Sequence, residues 1–182
     1  MCEWPIACRL PERQGRRRPG ALAAGANSRE DQIQNNLLPD GSGIGFAERD
    51  ALHYQLYNLE PLIKLAVIIQ RATGKDYYHY VGTNKASIAH CVEWTVPFIT
   101  GELQHAEYVH SKVPFDRQRA AIKESAYKIG ADFNPQAGLY MLTLAEYFQP
   151  SLHKVILTLQ PEIHRGIAFI QVLNKVRRNV HT

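Results

Sequence analysis

The sequence predicts an all-α protein built from antiparallel helix pairs, and three observations support this fold class. Apolar residues recur every three or four positions through most of the chain after residue 49, which is the period of one face of an α-helix. Glycine or proline marks the turns between these periodic stretches. A single short run, DYYHYV at residues 76–81, resembles a strand. Helices should therefore form almost all of the regular structure.

The longest predicted helix begins near Arg49 and ends at Gly74, where a glycine can stop a helix. Pro61 is expected to split or kink it, because proline removes a backbone hydrogen bond in a helix interior. The apolar face of this helix consists of Leu52, Leu56, Leu59, Leu62, Ile63, Leu65, Ala66 and Ile69.

The same period predicts five more helices. They cover residues 85–100, 116–129, 136–148, 151–159 and about 162–177. Gly101 should end the first of these, and Asp116 should cap the second. Six or seven helices joined by short turns form packed pairs, but they cannot close a large helical barrel.

Composition limits the possible functions. The 182 residues are 45% hydrophobic and 21% charged, which suits one domain with an ordinary core. The net charge of +4 favours an anionic partner, but basic and aromatic residues form no recognisable nucleic-acid motif. No apolar run is long enough to span a membrane. Three cysteines predict neither a disulfide framework nor a metal site.

Residues 1–34 differ from the rest of the chain. They contain scattered prolines and glycines, an arginine run at 16–18 and no sustained apolar period. We expect a disordered or non-native leader here, followed by a helical domain over residues 35–182. The arginine run is either a solvated segment or an arm that binds anions.

One stretch carries chemistry as well as helical period. The sequence RDALHYQLYNLEPLIKLA follows a glycine-rich loop, and VEWTVPFITGEL lies further along at residues 92–103. Together they resemble the alginate lyase family of polysaccharide lyases over roughly residues 35–160. The resemblance implies an (α/α) toroid with a groove for an acidic polysaccharide. This chain would then be an incomplete toroid, the C-terminal portion of such a lyase.

The resemblance implies catalysis by Tyr54, with His53 and Arg49 as electrostatic helpers. Breaking a uronate chain by β-elimination requires a base for the proton on C5 and a donor that stabilises the charge developing on the carboxylate. Tyrosine can serve as the base, and afterwards as the acid, if positive charge stabilises its phenolate. No metal or cofactor is required. Histidines 105 and 110 are too far apart in sequence for a helical zinc pair.

Geometry leaves the position of Arg49 open at this stage. On one regular helix, Arg49 and Tyr54 would lie about 140° apart. If the helix begins near residues 48–50, the Arg49 side chain can turn towards Tyr54 instead. Alternatively, Arg49 pairs weakly with Asp50 or Glu48, which would be worth roughly half a kcal/mol.

Four further side chains are expected to contact sugar. They are Tyr57, Tyr78, His79 and Trp94, because aromatic faces stack on sugar rings. Each has an alternative interpretation: the aromatic run at 76–81 could plug one end of the bundle, and a tryptophan on an apolar helix face is usually core. Tyr54 itself could be a core tyrosine.

The sequence thus predicts a uronate polysaccharide lyase whose partner is an anionic polysaccharide. Two alternatives stay open: a truncated, non-catalytic module of the same fold that binds a saccharide or another partner, and a sugar isomerase on a related helical barrel. The family resemblance implies a periplasmic or secreted protein, although no signal peptide is recognisable, so the location is undetermined.

Overall fold

Helices dominate the computed structural model, which describes residues 30–122, 128–159 and 165–176. Helix α1 covers residues 30–36. It is followed by α2 (Ile44–Arg49), α3 (Leu52–Thr73), α4 (Ile88–Thr100), α5 (Pro114–Ala120), α6 (Leu139–Ala145), α7 (Leu152–Leu159) and α8 (Arg165–Val176). A 3-10 turn, Pro135–Gly138, leads into α6. Isolated β-bridges, and no β-strand, occur in the described residues, so the predicted all-α class is confirmed.

Helix α3 forms because its apolar period lets one face pack into the core. Its buried side chains are Leu52, Gln55, Leu56, Leu59, Leu62, Ile63, Ala66 and Ile69. The helix ends where the sequence predicts: Gly74 adopts a left-handed conformation with φ of 76° and donates its N–H to the Gln70 carbonyl. It begins later than predicted, at Leu52, because Arg49 belongs to α2.

Pro61 lies inside α3 without dividing it into two helices. A proline at this position leaves the carbonyl of Tyr57, one turn earlier, without its helical donor. Pro61 and Tyr57 are both exposed, so solvent can bond this carbonyl. Because α3 continues through Pro61, the predicted split is wrong, and the alternative of a kink stays a prediction.

The core lies between α3, α4, α6 and α7. Helix α4 begins after Ser87, whose hydroxyl accepts the His90 N–H at 3.2 Å, and it ends at Gly101 in the left-handed conformation. The approach of α4 to the 3-10 turn is so close that a Cβ atom on Gly138 would overlap the Ile99 side chain.

Two predicted helices have different bounds in the structure. The helix predicted over 116–129 is α5, which ends at Ala120, and residues 123–127 lie outside the described part. Asp116 is not its cap: Val113 holds that position, and Asp116 is fully buried in the first turn. The helix predicted over 136–148 is divided between the 3-10 turn and α6.

The strand-like run at 76–81 is a turn rather than a strand. The Asp76 carboxylate accepts the N–H groups of Tyr78 and His79 at 3.0 and 3.1 Å. The Tyr78 ring stacks on Phe148 with centroids 4.5 Å apart, and its hydroxyl donates to Gln149. Tyr78 thus packs into the bundle, in keeping with the plug that was the alternative to sugar binding, whereas His79 and Val81 of this run are exposed.

Helix α1 extends the packed part of the chain further towards the N-terminus than predicted. Ile33 is fully buried in the same core cluster as Leu59 and Ile63. The predicted boundary after residue 34 therefore falls inside a helix, and residues 30–34 pack with the helical domain. The rest of the predicted leader, residues 1–29, lies outside the described residues.

No helix in the described residues combines the length and apolar character that crossing a membrane requires.

Candidate active site

The turn between α2 and α3 brings Arg49 and Tyr54 together. Arg49 is the last residue of α2, and Asp50 reverses the chain with a positive φ of 50°. Tyr54 then lies in the first turn of α3. The Arg49 guanidinium carbon is 4.2 Å from the centre of the Tyr54 ring, which is cation–π geometry. The angular separation expected on one regular helix does not apply, because the two residues lie on different helices.

Arg49 is held in this position by Asp116 of α5. The Arg49 Nε donates to one carboxylate oxygen at 3.1 Å, and a terminal nitrogen donates to the other at 2.5 Å. The Asp116 side chain is completely buried and also accepts the Ser111 hydroxyl at 2.6 Å. The sequence left open a weak pair between Arg49 and Asp50 or Glu48. The structure instead pairs Arg49 with Asp116 through two hydrogen bonds.

His53 lies at the centre of an aromatic cluster. Its ring centroid is 4.6 Å from that of Tyr54 and 5.0 Å from that of Tyr57. The Tyr108 hydroxyl lies 3.4 Å from the His53 Nδ1. Burial, and then the positive charges of Arg119 and Arg49, hold the pKa of His53 below its usual value. The neutral imidazole is therefore favoured.

The segment 105–112 is fixed to the turn that carries Arg49. Asp50 binds three of its members: the Tyr108 N–H donates to the Asp50 carbonyl at 2.6 Å, the His110 N–H donates to the carboxylate at 2.6 Å, and the His105 Nε2 is 3.0 Å from the carbonyl. The Lys112 N–H donates to the Glu48 carbonyl at 2.8 Å. Two parts of the chain more than fifty residues apart thereby form one unit.

Glu107 joins this unit to the start of α3. Its buried carboxylate accepts the Leu52 N–H at 2.9 Å, which satisfies a backbone donor that the helix cannot satisfy itself. Burial raises the pKa of Glu107, although the bond from Leu52 and the charge of His105 oppose this shift. Glu107 thus acts as a distant cap for the helix of Tyr54.

An open groove of about 550 Å³ lies beside His53 and Tyr108. Its lining includes two basic residues, Arg119 and Lys128, and two acidic ones, Glu107 and Asp132, and Phe133 supplies an apolar surface. A second space of about 350 Å³ adjoins it at His53 and continues past the exposed Tyr57. Volumes of this size accommodate small ligands or sugar units.

The structure brings only some of the predicted site residues together. His53 and Tyr57 line the groove, whereas Tyr54 lies behind His53 and Arg49 lies over Tyr54. Tyr78 is fully buried, so its ring cannot meet a sugar, and the prediction that it binds substrate is wrong.

The last two predicted sugar contacts lie outside both parts of the groove. His79 is exposed and pairs with Asp76 at 2.8 Å. Trp94 packs edge-on against Phe46 at 5.0 Å and lies close to Gly41. A sugar bound in this groove would therefore not contact these two side chains.

Four residues of this region were not predicted from the sequence. They are Glu107, Tyr108, Asp116 and Arg119. No local spacing relates them to Arg49 or Tyr54, because all four are more than fifty residues further along the chain. The one available signal was the density of ionisable and aromatic side chains in HAEYVH at residues 105–110.

These features define a helical protein with an open groove bordered by aromatic, basic and acidic side chains. Residues 17–105 match the model of the family described as alginate lyase. This match is consistent with a partial alginate lyase-family region, the family that the sequence resemblance predicted. At the level of the family, the match indicates a polysaccharide lyase with a polysaccharide substrate. No curated protein and no solved structure matches the chain.

The matched region contains Arg49, His53 and Tyr54 and ends at His105. It begins inside the segment predicted to be a leader, at residue 17, and it stops before Tyr108 and Asp116. The residues that fix Arg49 and line the far side of the groove therefore follow the family region in sequence while packing against it in space.

Replacing Asp116 with asparagine should destabilise the fold. The change leaves the Arg49 guanidinium facing an amide in a buried site, and breaking a buried ion pair costs about 3–5 kcal/mol. Urea unfolding of Asp116→Asn measures this loss. Glu60→Gln is the matched control, because it removes a partly exposed pair with Lys64 at 3.7 Å. That control should change stability by less than about 1 kcal/mol. A loss of similar size in both variants would contradict the proposed structural role of Asp116.

The His53 ring should titrate at a lower pH in the folded chain than in the unfolded chain. As the pH falls, the unfolded state therefore takes up the His53 proton before the folded state does. The stability that neutral His53 contributes is fully present above its unfolded pKa. It is lost as the pH falls from there towards the folded pKa. Ring resonances followed by NMR, with and without urea, measure both values.

Arg119→Gln should raise the folded pKa of His53, because it removes a cation beside the imidazole. Arg71→Gln serves as a control, since Arg71 lies about 27 Å further along α3 by helix geometry. A folded pKa at or above the unfolded one would refute the electrostatic description.

Proposed function

We propose that this chain is a lyase that cleaves an acidic uronate polysaccharide by β-elimination, with Tyr54 as general base and acid. The observation that carries the proposal is the Arg49 guanidinium, held by Asp116 and positioned 4.2 Å from the Tyr54 ring centre. The family match over residues 17–105 supports the reaction class.

The reaction places two demands on the site. A base must remove the C5 proton, and the negative charge that develops on the adjacent carboxylate must be stabilised in the transition state. Arg49 is the cation that can stabilise a Tyr54 phenolate. The Tyr54 hydroxyl makes no hydrogen bond to another described residue, which leaves it available to a substrate proton.

The groove beside His53 suits an anionic sugar chain. Arg119 and Lys128 can meet uronate carboxylates, and the exposed Tyr57 ring can stack on a sugar face. His53 is favoured in its neutral form and lines the groove beside these two cations. The scheme requires neither a metal nor a cofactor.

A second candidate function is a non-catalytic module that binds a saccharide. One observation favours it: Tyr54 does not line the described groove, although its ring packs against His53, which does. Binding without a product would then be the expected behaviour. The isomerase hypothesis gains no comparable support from the described residues.

The proposed activity can be tested by following the ultraviolet absorbance of unsaturated uronate ends. The purified chain should generate this product from alginate, polymannuronate or polyglucuronate, and Tyr54→Phe should lower the rate by about 10²–10⁴-fold, the usual contribution of a proton-transfer residue.

Tyr140→Phe is the matched control for this assay. Tyr140 is another tyrosine with a cation over its ring, Lys64 at 4.8 Å, and it lies on α6 away from the groove. It should leave the rate unchanged. Saccharide binding without any product from the wild-type chain would instead favour the non-catalytic module.

A further inference from the structure

We propose that Tyr108 is a second catalytic tyrosine, which protonates the oxygen leaving C4 while Tyr54 removes the proton from C5. This inference rests on the proposed function and changes one part of it. Tyr54 stays the base, and the acid role, assigned above to Tyr54, passes to Tyr108. The matched family region ends three residues before Tyr108, and the sequence resemblance assigns this tyrosine no role.

The position of Tyr108 provides the first argument. Tyr108 and His53 line the same groove, and the Tyr108 hydroxyl is 3.4 Å from the His53 Nδ1. The Tyr108 ring stands nearly perpendicular to the Tyr54 ring, with centroids 6.2 Å apart. The rings of His53, Tyr54 and Tyr108 therefore form a triangle, and Tyr108 is the phenol of this group that lines the groove.

The backbone of Tyr108 provides the second argument. Its φ is 67°, in the left-handed region, which is unfavourable for a residue with a bulky side chain. The bond from its N–H to the Asp50 carbonyl fixes this conformation. The neighbouring bonds of Glu107 and His110 to the α2–α3 turn hold the segment on both sides. Such locally strained residues, held by their surroundings, occur preferentially at functional sites.

The surroundings of the hydroxyl provide the third argument. A phenol that gives up its proton needs a donor or a cation nearby to stabilise the phenolate. With the proton of neutral His53 on Nδ1, that N–H donates to the Tyr108 oxygen, and the Tyr108 O–H is directed to the substrate. Arg119 adds positive charge in the same groove.

The proposed step balances as follows. The Tyr54 phenolate takes the C5 proton, and the electrons of the C5–H bond form the double bond between C4 and C5. The bond from C4 to its glycosidic oxygen breaks, and that oxygen takes the Tyr108 proton. Tyr54 then carries one proton more and Tyr108 one fewer. Transfer of one proton through water in the groove restores both residues.

A pair of substrates separates the two roles. A uronate polymer leaves through an alkoxide oxygen, which must be protonated, whereas a 4-deoxy-4-fluoro-uronate loses fluoride, which needs no acid. Both give the same type of unsaturated uronate. Tyr108→Phe should lower the rate on the polymer by about 10²-fold or more and leave fluoride release close to that of the wild type. Tyr54→Phe should lower both rates.

Tyr77→Phe is the matched control. Tyr77 is another buried tyrosine whose hydroxyl makes a long hydrogen bond, 3.4 Å to Glu30, and it does not line the groove. This variant should retain both activities. Fluoride release by Tyr108→Phe also demonstrates that the variant is folded and that its base is intact.

The remaining outcomes overturn the inference. If Tyr108→Phe retains polymer cleavage, Tyr108 is not the acid, while the proposed lyase function stands. If it loses polymer cleavage and fluoride release equally, Tyr108 does not act on the leaving group. If the wild-type chain gives no product from either substrate, the proposed function fails and the inference fails with it.

Discussion

The buried ion pair between Arg49 and Asp116 is the contact on which the rest of the candidate site depends. It joins the end of α2 to α5 across 67 positions of sequence, and Asp116 has no exposed surface. A buried carboxylate of this kind is tolerated only when its charge is matched and its oxygens accept hydrogen bonds. Here Arg49 supplies the opposite charge, and Arg49 and Ser111 donate the hydrogen bonds. The guanidinium that satisfies it is thereby fixed over Tyr54.

The Asp50 turn converts this single pair into a binding surface. Its carbonyl and carboxylate accept bonds from the 105–112 segment, and that segment places Tyr108 beside His53 and the Glu107 carboxylate at the start of α3. The groove lies beside this fixed segment, and His53 of α3, Arg119 of α5 and several residues between 128 and 137 complete its lining. Its shape consequently follows from backbone hydrogen bonds, whereas its chemistry follows from the aromatic, basic and acidic side chains at its edge.

Local sequence pattern predicted the features that depend on neighbouring residues. The buried face of α3, its end at Gly74 and the end of α4 at Gly101 all follow from helical period and glycine geometry. A local pattern could not predict that Asp116 pairs with Arg49, 67 positions earlier in the chain. Asp116 was therefore expected to cap the helix that follows it. Tyr78 was likewise assigned to sugar binding because nothing local reveals that Phe148 covers its ring. Tyr54 was proposed as the base from family resemblance, and the groove beside His53 became visible only in three dimensions.

The most direct test of this account is the crystal structure of the Tyr54→Phe variant with a mannuronate oligosaccharide. The account predicts a sugar unit in the groove beside His53, with its glycosidic oxygen within hydrogen-bond distance of the Tyr108 hydroxyl and a carboxylate near Arg119 or Lys128. An oligosaccharide bound elsewhere on the chain, with this groove filled only by water, would contradict the account.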